Sequence, residues 1–306
     1  MKMRRLSVAA GMMALAQVLC LAQRPPPMPA VQLLREVVYN ELQDHQGHGY
    51  WRYWIERHSP SESRLEDQIE TTQGPITLLT RTNGLPLGPG AQQQELARLH
   101  HLLSSPSEQA SHRQDYDDDE KRIGHIVALL PAAFLYEYDG EENGCQRLRF
   151  RPNPDYPGRS LEARILHAAS GTLWINLRYK RLARLDAHLD ENVDFAFGIL
   201  GRLYKGGLFR LQRTQVSTTD WKTERLEVHM AGRALLFKSI SREASELRRG
   251  FVPVPADINL AQAMTLFDAT LAQAQVQPQI QSEIQTETQA EIHSAQVTAA
   301  ALALRR

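Results

Sequence analysis

The sequence predicts an α+β fold in which helices cover one apolar face of an antiparallel sheet. The stretch Gly171–Leu189 carries the clearest signal: eight of its nine odd-numbered residues from 173 are apolar or aromatic, against two of the nine even-numbered ones. Such alternation is typical of a strand with one buried face, whereas parallel strands are usually apolar on both faces. The stretch is either one long strand or two strands with a bend near Arg181. Alternation recurs in Tyr50–His58 and Trp221–Met230, and helical spacing of apolar residues appears near both ends of the chain.

Composition excludes some classes of partner. The 306 residues can form one large domain or two, and a hydrophobic content of 42% is enough for a core. Lys plus Arg equals Asp plus Glu at 35 each, so no net field attracts nucleic acid or an anionic membrane, and we expect no nucleic-acid partner. Beyond the N-terminal segment no apolar run is long enough to span a bilayer.

The first 22 residues predict a signal peptide and therefore export, to the periplasm or another compartment outside the cytoplasm. A basic start precedes the mostly apolar stretch Leu6–Ala22, and small residues allow cleavage before Gln23. A lipoprotein signal with a lipidated Cys20 is the alternative, although Leu19 is larger than that pattern usually has. Cleavage leaves Cys145 as the only cysteine, which excludes an intramolecular disulfide.

The first half of the mature chain predicts a helix and a three-stranded meander. A proline-rich spacer, residues 23–30, precedes an amphipathic helix over Val31–Leu42. Three antiparallel strands follow, and Asn83-Gly84 is a strong turn signal after the third. The strands are predicted at Tyr50–His58, Arg64–Thr72 and Ile76–Arg81.

A helical insertion, about residues 91–130, interrupts the predicted sheet and is a candidate lid. Its two helices are predicted over Ala91–Leu103 and Tyr116–Leu130, separated by a loop at Ser104–Ser111. The second helix is expected to stop before Pro131.

The second half predicts more strands and a last helix. Leu161–His167 fits a strand or a short helix, and we favour a strand; Gly232 is expected in a turn. Asp257 is the predicted cap of a helix that buries Leu260, Met264, Phe267 and Leu271. Residues 272–306, rich in Gln and Ala, predict a disordered tail, which leaves 31–271 as a single domain. The remaining strands are predicted at Ala133–Tyr138, Gln146–Phe150, Trp221–Met230 and Ala234–Ile240.

No standard catalytic motif is present, so the sequence predicts a protein that is not an enzyme. The pairs His45/His48 and His100/His101 lack converging partners, and no metal or cofactor is expected. The acidic run 115–120 lacks the glycine and the later glutamate of a calcium loop. A hydrolase using acid or base groups of the insertion ranks last, because it lacks a nucleophile with an orienting partner. Its candidate groups are Asp115, His112 and His125.

An aromatic cluster opens the first strand. Because side chains alternate along a strand, Trp51 and Tyr53 are expected inside and Tyr50 and Trp54 outside. Exposed aromatic residues of that kind would mark a contact surface.

The order of elements from Val31 to Ile240, with the turn TRTNGLPL at Thr80–Leu87, resembles the LolA/LolB-like fold. This group comprises periplasmic lipoprotein carriers and related envelope lipid-binding proteins. The resemblance implies an unclosed β-barrel: a strongly curved antiparallel sheet whose open side is covered by helices and whose apolar cavity shields acyl chains. The insertion and the tail depart from the family pattern, and the resemblance assigns no role to a numbered residue.

These observations predict an exported envelope protein that binds a lipid or lipoprotein acyl chain between sheet and helices. The alternative is a non-enzymatic interaction or envelope-sensing module, whose sheet is plugged by a filled core and whose Gln-rich tail tethers it to an envelope protein partner. The candidate cavity residues are Trp51, Tyr53, Ile55, Leu173, Ile175, Leu177, Tyr179, Leu226, Val228 and Met230.

Overall fold

The computed structural model describes residues 28–44, 49–157, 160–195, 201–234 and 238–274. The predicted signal peptide, most of the predicted spacer and tail, and His45 and His48 lie outside these ranges. The described residues form five helices: α1 (Ala30–Asp44), α2 (Pro89–Ser104), α3 (Pro106–Ala133), α4 (Leu161–His167) and α5 (Leu260–Ala274).

Thirteen strands in the described ranges form a single antiparallel sheet. The strands are β1 (Tyr50–His58), β2 (Ser63–Ile69), β3 (Ile76–Thr82), β4 (Leu85–Pro86), β5 (Phe134–Glu142), β6 (Cys145–Pro152), β7 (Ala169–Asn176), β8 (Arg181–Leu189), β9 (Val193–Phe195), β10 (Gly201–Leu203), β11 (Leu208–Gln215), β12 (Trp221–Ala234) and β13 (Lys238–Val254). Their order is β4-β3-β2-β1-β13-β12-β11-β8-β7-β6-β5; in addition β10 pairs with β12, and β9 pairs with β10. The sheet is not closed: its ends are β4 and β5, and α2 and α3 lie between these two strands in the chain.

The predicted meander is confirmed. β1 pairs with β2, and β2 with β3, all antiparallel. Asn83 and Gly84 both have positive φ, 53° and 76°, as the tight hairpin turn between β3 and β4 requires.

The alternating stretch is a hairpin. β7 pairs with β8, and the chain reverses completely in the turn at residues 177–180, just before Arg181. The two-strand alternative therefore holds, with a reversal in place of a bend. The hairpin needs Gly171, because a Cβ there would lie 2.0 Å from the carbonyl oxygen of Asp186.

Three predictions in helical regions are wrong. The predicted loop at Ser104–Ser111 is largely the first turns of α3, because Pro106 fits a first helical position and the Ser105 side chain caps the helix by accepting from the backbone N–H of Glu108. α3 also continues through Pro131 to Ala133. The predicted strand at 161–167 is α4, where the Ser160 hydroxyl accepts from the N–H of Ala163 at 3.1 Å.

The last strands differ from the prediction in two ways. Gly232 does not form a turn; it lies inside β12, between β10 and β13. A Cβ at this position would lie 2.5 Å from the Arg202 carbonyl oxygen, so close approach of β10 explains the glycine. β13 also runs to Val254, well beyond the predicted end at Ile240.

The last helix forms as predicted but has a different cap. The Asn259 side chain accepts from the N–H of Gln262 at 3.0 Å, and the Gln262 side chain accepts from the N–H of Asn259 at 2.9 Å. This reciprocal pair is a capping box, so Asn259 replaces Asp257 as the cap. Leu260, Met264 and Phe267 are buried, and Leu271 is partly buried against the same cluster.

The helices pack on both faces of the sheet, which we name by the helix that covers them. Directly opposed residues of an antiparallel pair share a face, so the register traces each face across the sheet. On the α1 face, Leu34 and Val37 of α1 join a core cluster with Leu148 and Leu173. On the α5 face, Phe267 packs in a second cluster, built on β2 and β3.

Candidate functional site

The α1 face carries an apolar strip in the middle of the sheet, on β11 and β12. Leu226 lies opposite Leu211, and Val228 opposite Phe209. All are only half-buried, as is Met230 at the end of the row. Of the three buried clusters that the described residues form, none has these side chains among its packed members. We call Phe209, Leu211, Leu226, Val228 and Met230 the apolar strip.

One side of the apolar strip continues into the core under α1. Leu211 lies opposite Leu185, Leu185 opposite Leu173, and Leu173 opposite Leu148. Leu173 and Leu148 are 3% and 0% exposed, so α1 fills this half of the face. The apolar strip is the point at which this cover ends.

The other side of the apolar strip is charged. Glu246 of β13 lies opposite both Leu226 and Arg57 of β1. Arg57 pairs with Glu66 at 3.0 Å and with Glu246, while Arg248 donates to Glu246 at 2.8 Å. We call Arg57, Glu66, Glu246 and Arg248 the arginine–glutamate cluster.

Arg248 is the most shielded cation of the cluster. Its Nε is buried and has no acceptor within the described part of the chain, although the side chain as a whole keeps 24% exposure. Its guanidinium lies over the Tyr53 ring, 6.0 Å from Cζ to the ring centroid. Burial acts to lower the pKa of Arg248, but the interactions with Tyr53, Glu246 and Glu70 outweigh it, so the pKa is raised and the group stays charged.

A polar network fixes the aromatic residues of β1. Gln68 donates to the Tyr53 hydroxyl at 2.6 Å, and that hydroxyl donates to Glu70, which Lys222 also binds at 2.7 Å. Burial and the neighbouring Glu70 carboxylate raise the pKa of Tyr53 far above its usual value, so the phenol stays protonated. Trp51 donates its Nε1 hydrogen to Asp220 at 3.3 Å.

The structure places eight of the ten predicted cavity residues in three groups. Trp51, Tyr53 and Ile55 are buried on the α1 face, with exposures of 5%, 3% and 0%. Leu173 and Ile175 are buried in the core under α1. Three of the ten reach the apolar strip: Leu226, Val228 and Met230.

Leu177 and Tyr179 lie in the β7–β8 turn rather than in a strand, which changes the extended geometry assumed for them. Leu177 borders an open pocket of about 420 Å³ beside the start of α1, with Leu33 and Tyr138. Tyr179 contacts the Trp221 ring edge-on, at 6.0 Å between centroids. The predicted outward pair of β1 is also less exposed than expected, since Tyr50 and Trp54 are both half-buried.

The sequence did not single out two members of the apolar strip, Phe209 and Leu211, or the arginine–glutamate cluster beside it. Phe209 and Leu211 carry a recognisable signal, because they are apolar residues two apart on an alternating strand. Arg57, Glu246 and Arg248 carry none, since ion-paired side chains occupy positions on the α1 face where alternation would require apolar ones.

The acid and base groups considered for a hydrolase do not converge. His112 and His125 are 13 residues apart on α3, which corresponds to about 20 Å along a helix. Burial lowers the pKa of His112, whose ring lies against the backbone near Gly74. Asp115 and His125 are exposed.

A second set of residues has catalytic composition without catalytic geometry. Ser170 Oγ lies 3.1 Å from His188 Nε2, and the same Nε2 lies 2.9 Å from Asp190. In a nucleophilic triad the carboxylate binds the other ring nitrogen and so orients the base. Both contacts here use one nitrogen, so this arrangement does not form the relay.

Metal and thiol chemistry find little support in the described residues. No group of three or more His, Cys, Asp or Glu in these ranges is arranged to hold a metal ion. Cys145 is free and half-buried, and burial raises the pKa of its thiol, which disfavours the reactive thiolate.

No helix in the described ranges has both the length and the apolar character that crossing a bilayer requires.

Comparison of the chain with protein-family models, with curated proteins and with solved structures finds no match.

Proposed function

We propose that this is an exported envelope protein that binds a lipid or lipoprotein acyl chain on the α1 face of its sheet. The proposal includes a strongly curved, LolA/LolB-like unclosed barrel with residues 91–130 as a helical insertion. The observation that carries it is the apolar strip, because five apolar side chains in register are only half-buried where the cover of α1 ends. An acyl chain is a chemically suitable cover for such a strip.

The hydrophobic effect makes this binding energetically sufficient without polar recognition. Burial of acyl carbons contributes roughly 0.8 kcal/mol per CH₂, so a chain that covers several strip residues gains enough to offset its loss of freedom. The side chains that such a chain would contact are the two cross-strand pairs of β11 and β12.

Filling the apolar strip with a larger side chain is expected to weaken acyl binding. In Val228→Trp the indole occupies the space above Leu226 and Phe209, and we expect at least about tenfold weaker binding of a fluorescent fatty acid. The matched control is His229→Trp, which places the same side chain on the opposite, exposed face of β12 and should bind as the parent protein does. Titration of purified protein with cis-parinaric acid measures both.

Two results, from this titration and from lipid extraction of the purified protein, contradict the proposal. One is a parent protein that binds no fatty acid and yields no lipid on extraction; the other is a Val228→Trp variant that binds as tightly as the parent. The first result favours the plugged alternative, an interaction or sensing module that contacts an envelope protein partner. The filled core around Leu173 and Ile175 under α1 is the feature that agrees with that alternative.

Export is tested separately, by the mass of the mature chain. We expect intact-mass analysis of material expressed in a Gram-negative host to show a chain that starts at Gln23, because the signal pattern places cleavage after Ala22. Retention of Met1, or a diacylglyceryl adduct on Cys20, would overturn this expectation.

A further inference from the structure

We propose that the acyl ligand carries an anionic head group, a carboxylate or phosphate, which binds the guanidinium of Arg248 while the chain covers the apolar strip. This inference rests on the proposed function and adds a ligand class to it: a single-chain anionic amphiphile.

The register places a charged site directly beside the apolar strip. Arg57, Glu246 and Leu226 follow one another across three neighbouring strands. Neighbouring strands lie about 4.8 Å apart, so the step from the first of these positions to the last is about 10 Å. A ligand with a polar head and an apolar tail matches this change from charge to hydrocarbon on one continuous face.

The hydrogen bonds within the arginine–glutamate cluster leave donors in excess. Two guanidinium groups carry ten N–H donors, whereas Glu66 and Glu246 are already engaged by Arg57. Arg248 bonds Glu246 through one nitrogen, and its buried Nε has no acceptor in the described part of the chain. A buried donor without an acceptor is unfavourable, and a planar anion with two oxygens is the group that satisfies a guanidinium edge best.

The position of Arg248 suits a head-group contact. The Tyr53 ring beneath the guanidinium and the bond to Glu246 limit its orientation. Its remaining exposure of 24% makes it accessible from the α1 face. An incoming carboxylate therefore meets a charged group that is already partly ordered, which reduces the entropy lost on binding.

Two ligands of the same chain length distinguish the contribution of the head group to binding from that of the tail. We expect the parent protein to bind hexadecanoate about tenfold more tightly than hexadecanol, measured by displacement of the fluorescent fatty acid. Arg248→Gln should remove this preference and leave hexadecanol binding unchanged. Arg225→Gln is the matched control, since Arg225 is exposed on the opposite face of the neighbouring strand and should keep the preference.

A second variant tests the inference if Arg248→Gln does not fold. Glu246→Gln removes the carboxylate that competes for both arginines, so we expect hexadecanoate to bind at least about threefold more tightly and hexadecanol to bind as before. Unchanged hexadecanoate affinity in this variant would overturn the inference.

Comparison of the two ligands tests the head-group inference separately from the proposed function. Equal binding of hexadecanoate and hexadecanol by the parent protein overturns the head-group assignment and leaves acyl binding intact. Failure of both ligands to bind overturns both. Inorganic phosphate or acetate that displaces the probe as strongly as hexadecanoate would show a site for free anions and would also overturn the assignment.

Discussion

Glu41→Gln is expected to lower the free energy of unfolding by about 3–5 kcal/mol, because it removes the shared carboxylate of two buried arginines. Glu41 pairs with Arg213 and lies 3.8 Å from Arg181, and the three side chains are 13%, 13% and 6% exposed. Its other oxygen accepts from the backbone N–H of Leu182 at 3.0 Å, so glutamine keeps the shape and one hydrogen bond while losing the charge. The contacts fasten the end of α1 to β8 and to β11. Chemical denaturation of the two proteins measures the difference.

The control for this variant is Glu36→Gln, on the same helix. Glu36 is 39% exposed and lies 4.0 Å from Lys180, so it belongs to the class of surface pairs that contribute about 0–1 kcal/mol. A similar small loss in both variants would show that the buried arrangement around Glu41 does not hold α1 to the sheet.

Arg181 shows what alternation can and cannot predict. It occupies an apolar position in the pattern, and from the sequence it is the one exception among nine odd-numbered residues. The structure buries it all the same, since Glu41 and the carbonyl oxygen of Asn40 bind its guanidinium. The alternation therefore predicts a buried position at 181, but the carboxylate partner of Arg181 is 140 residues away in sequence, and no local pattern identifies such a partner.

The same reasoning explains which elements were predictable. β1 was predicted from Tyr50 to His58 because its alternating apolar residues and its flanking turn signals act locally. β13 was missed beyond Ile240 because Glu246 and Arg248 occupy the face that alternation would make apolar. α4 was predicted as a strand because seven residues are too few to distinguish the periodicity of a helix from that of a strand, although Ser160 does provide a helix-cap signal.

The candidate site was only partly predictable for a related reason. Leu226 and Val228 could be assigned to the apolar face of their strand from the sequence. Which strands lie beside that strand is known only from the register. The register shows that the cover of α1 stops short of these residues and that an arginine–glutamate cluster lies beside them. Those are properties of the whole sheet, which depend on contacts between distant segments.

Phe267→Ala is expected to lower the free energy of unfolding by about 3–5 kcal/mol, because it empties the centre of the cluster under α5. Phe267 is 0% exposed, and it packs with Ile69 and Ile76 on the α5 face. Its ring also lies under the Arg52 guanidinium, which pairs with the buried Asp67. Burial raises the pKa of Asp67 despite this pairing, so its carboxylate is unfavourably placed. Water admitted beside the ring would change the solvation of this carboxylate.

Asp268→Ala is the matched control, since Asp268 is the next residue on α5 and is exposed. We expect a change within about 0.5 kcal/mol for this variant, in the same thermal or denaturant melt. α5 lies on the face opposite the apolar strip, so a folded Phe267→Ala protein should still bind the fluorescent fatty acid as the parent does. Loss of fatty-acid binding below the unfolding transition would place α5 in the ligand site and contradict the assignment of that site to the α1 face.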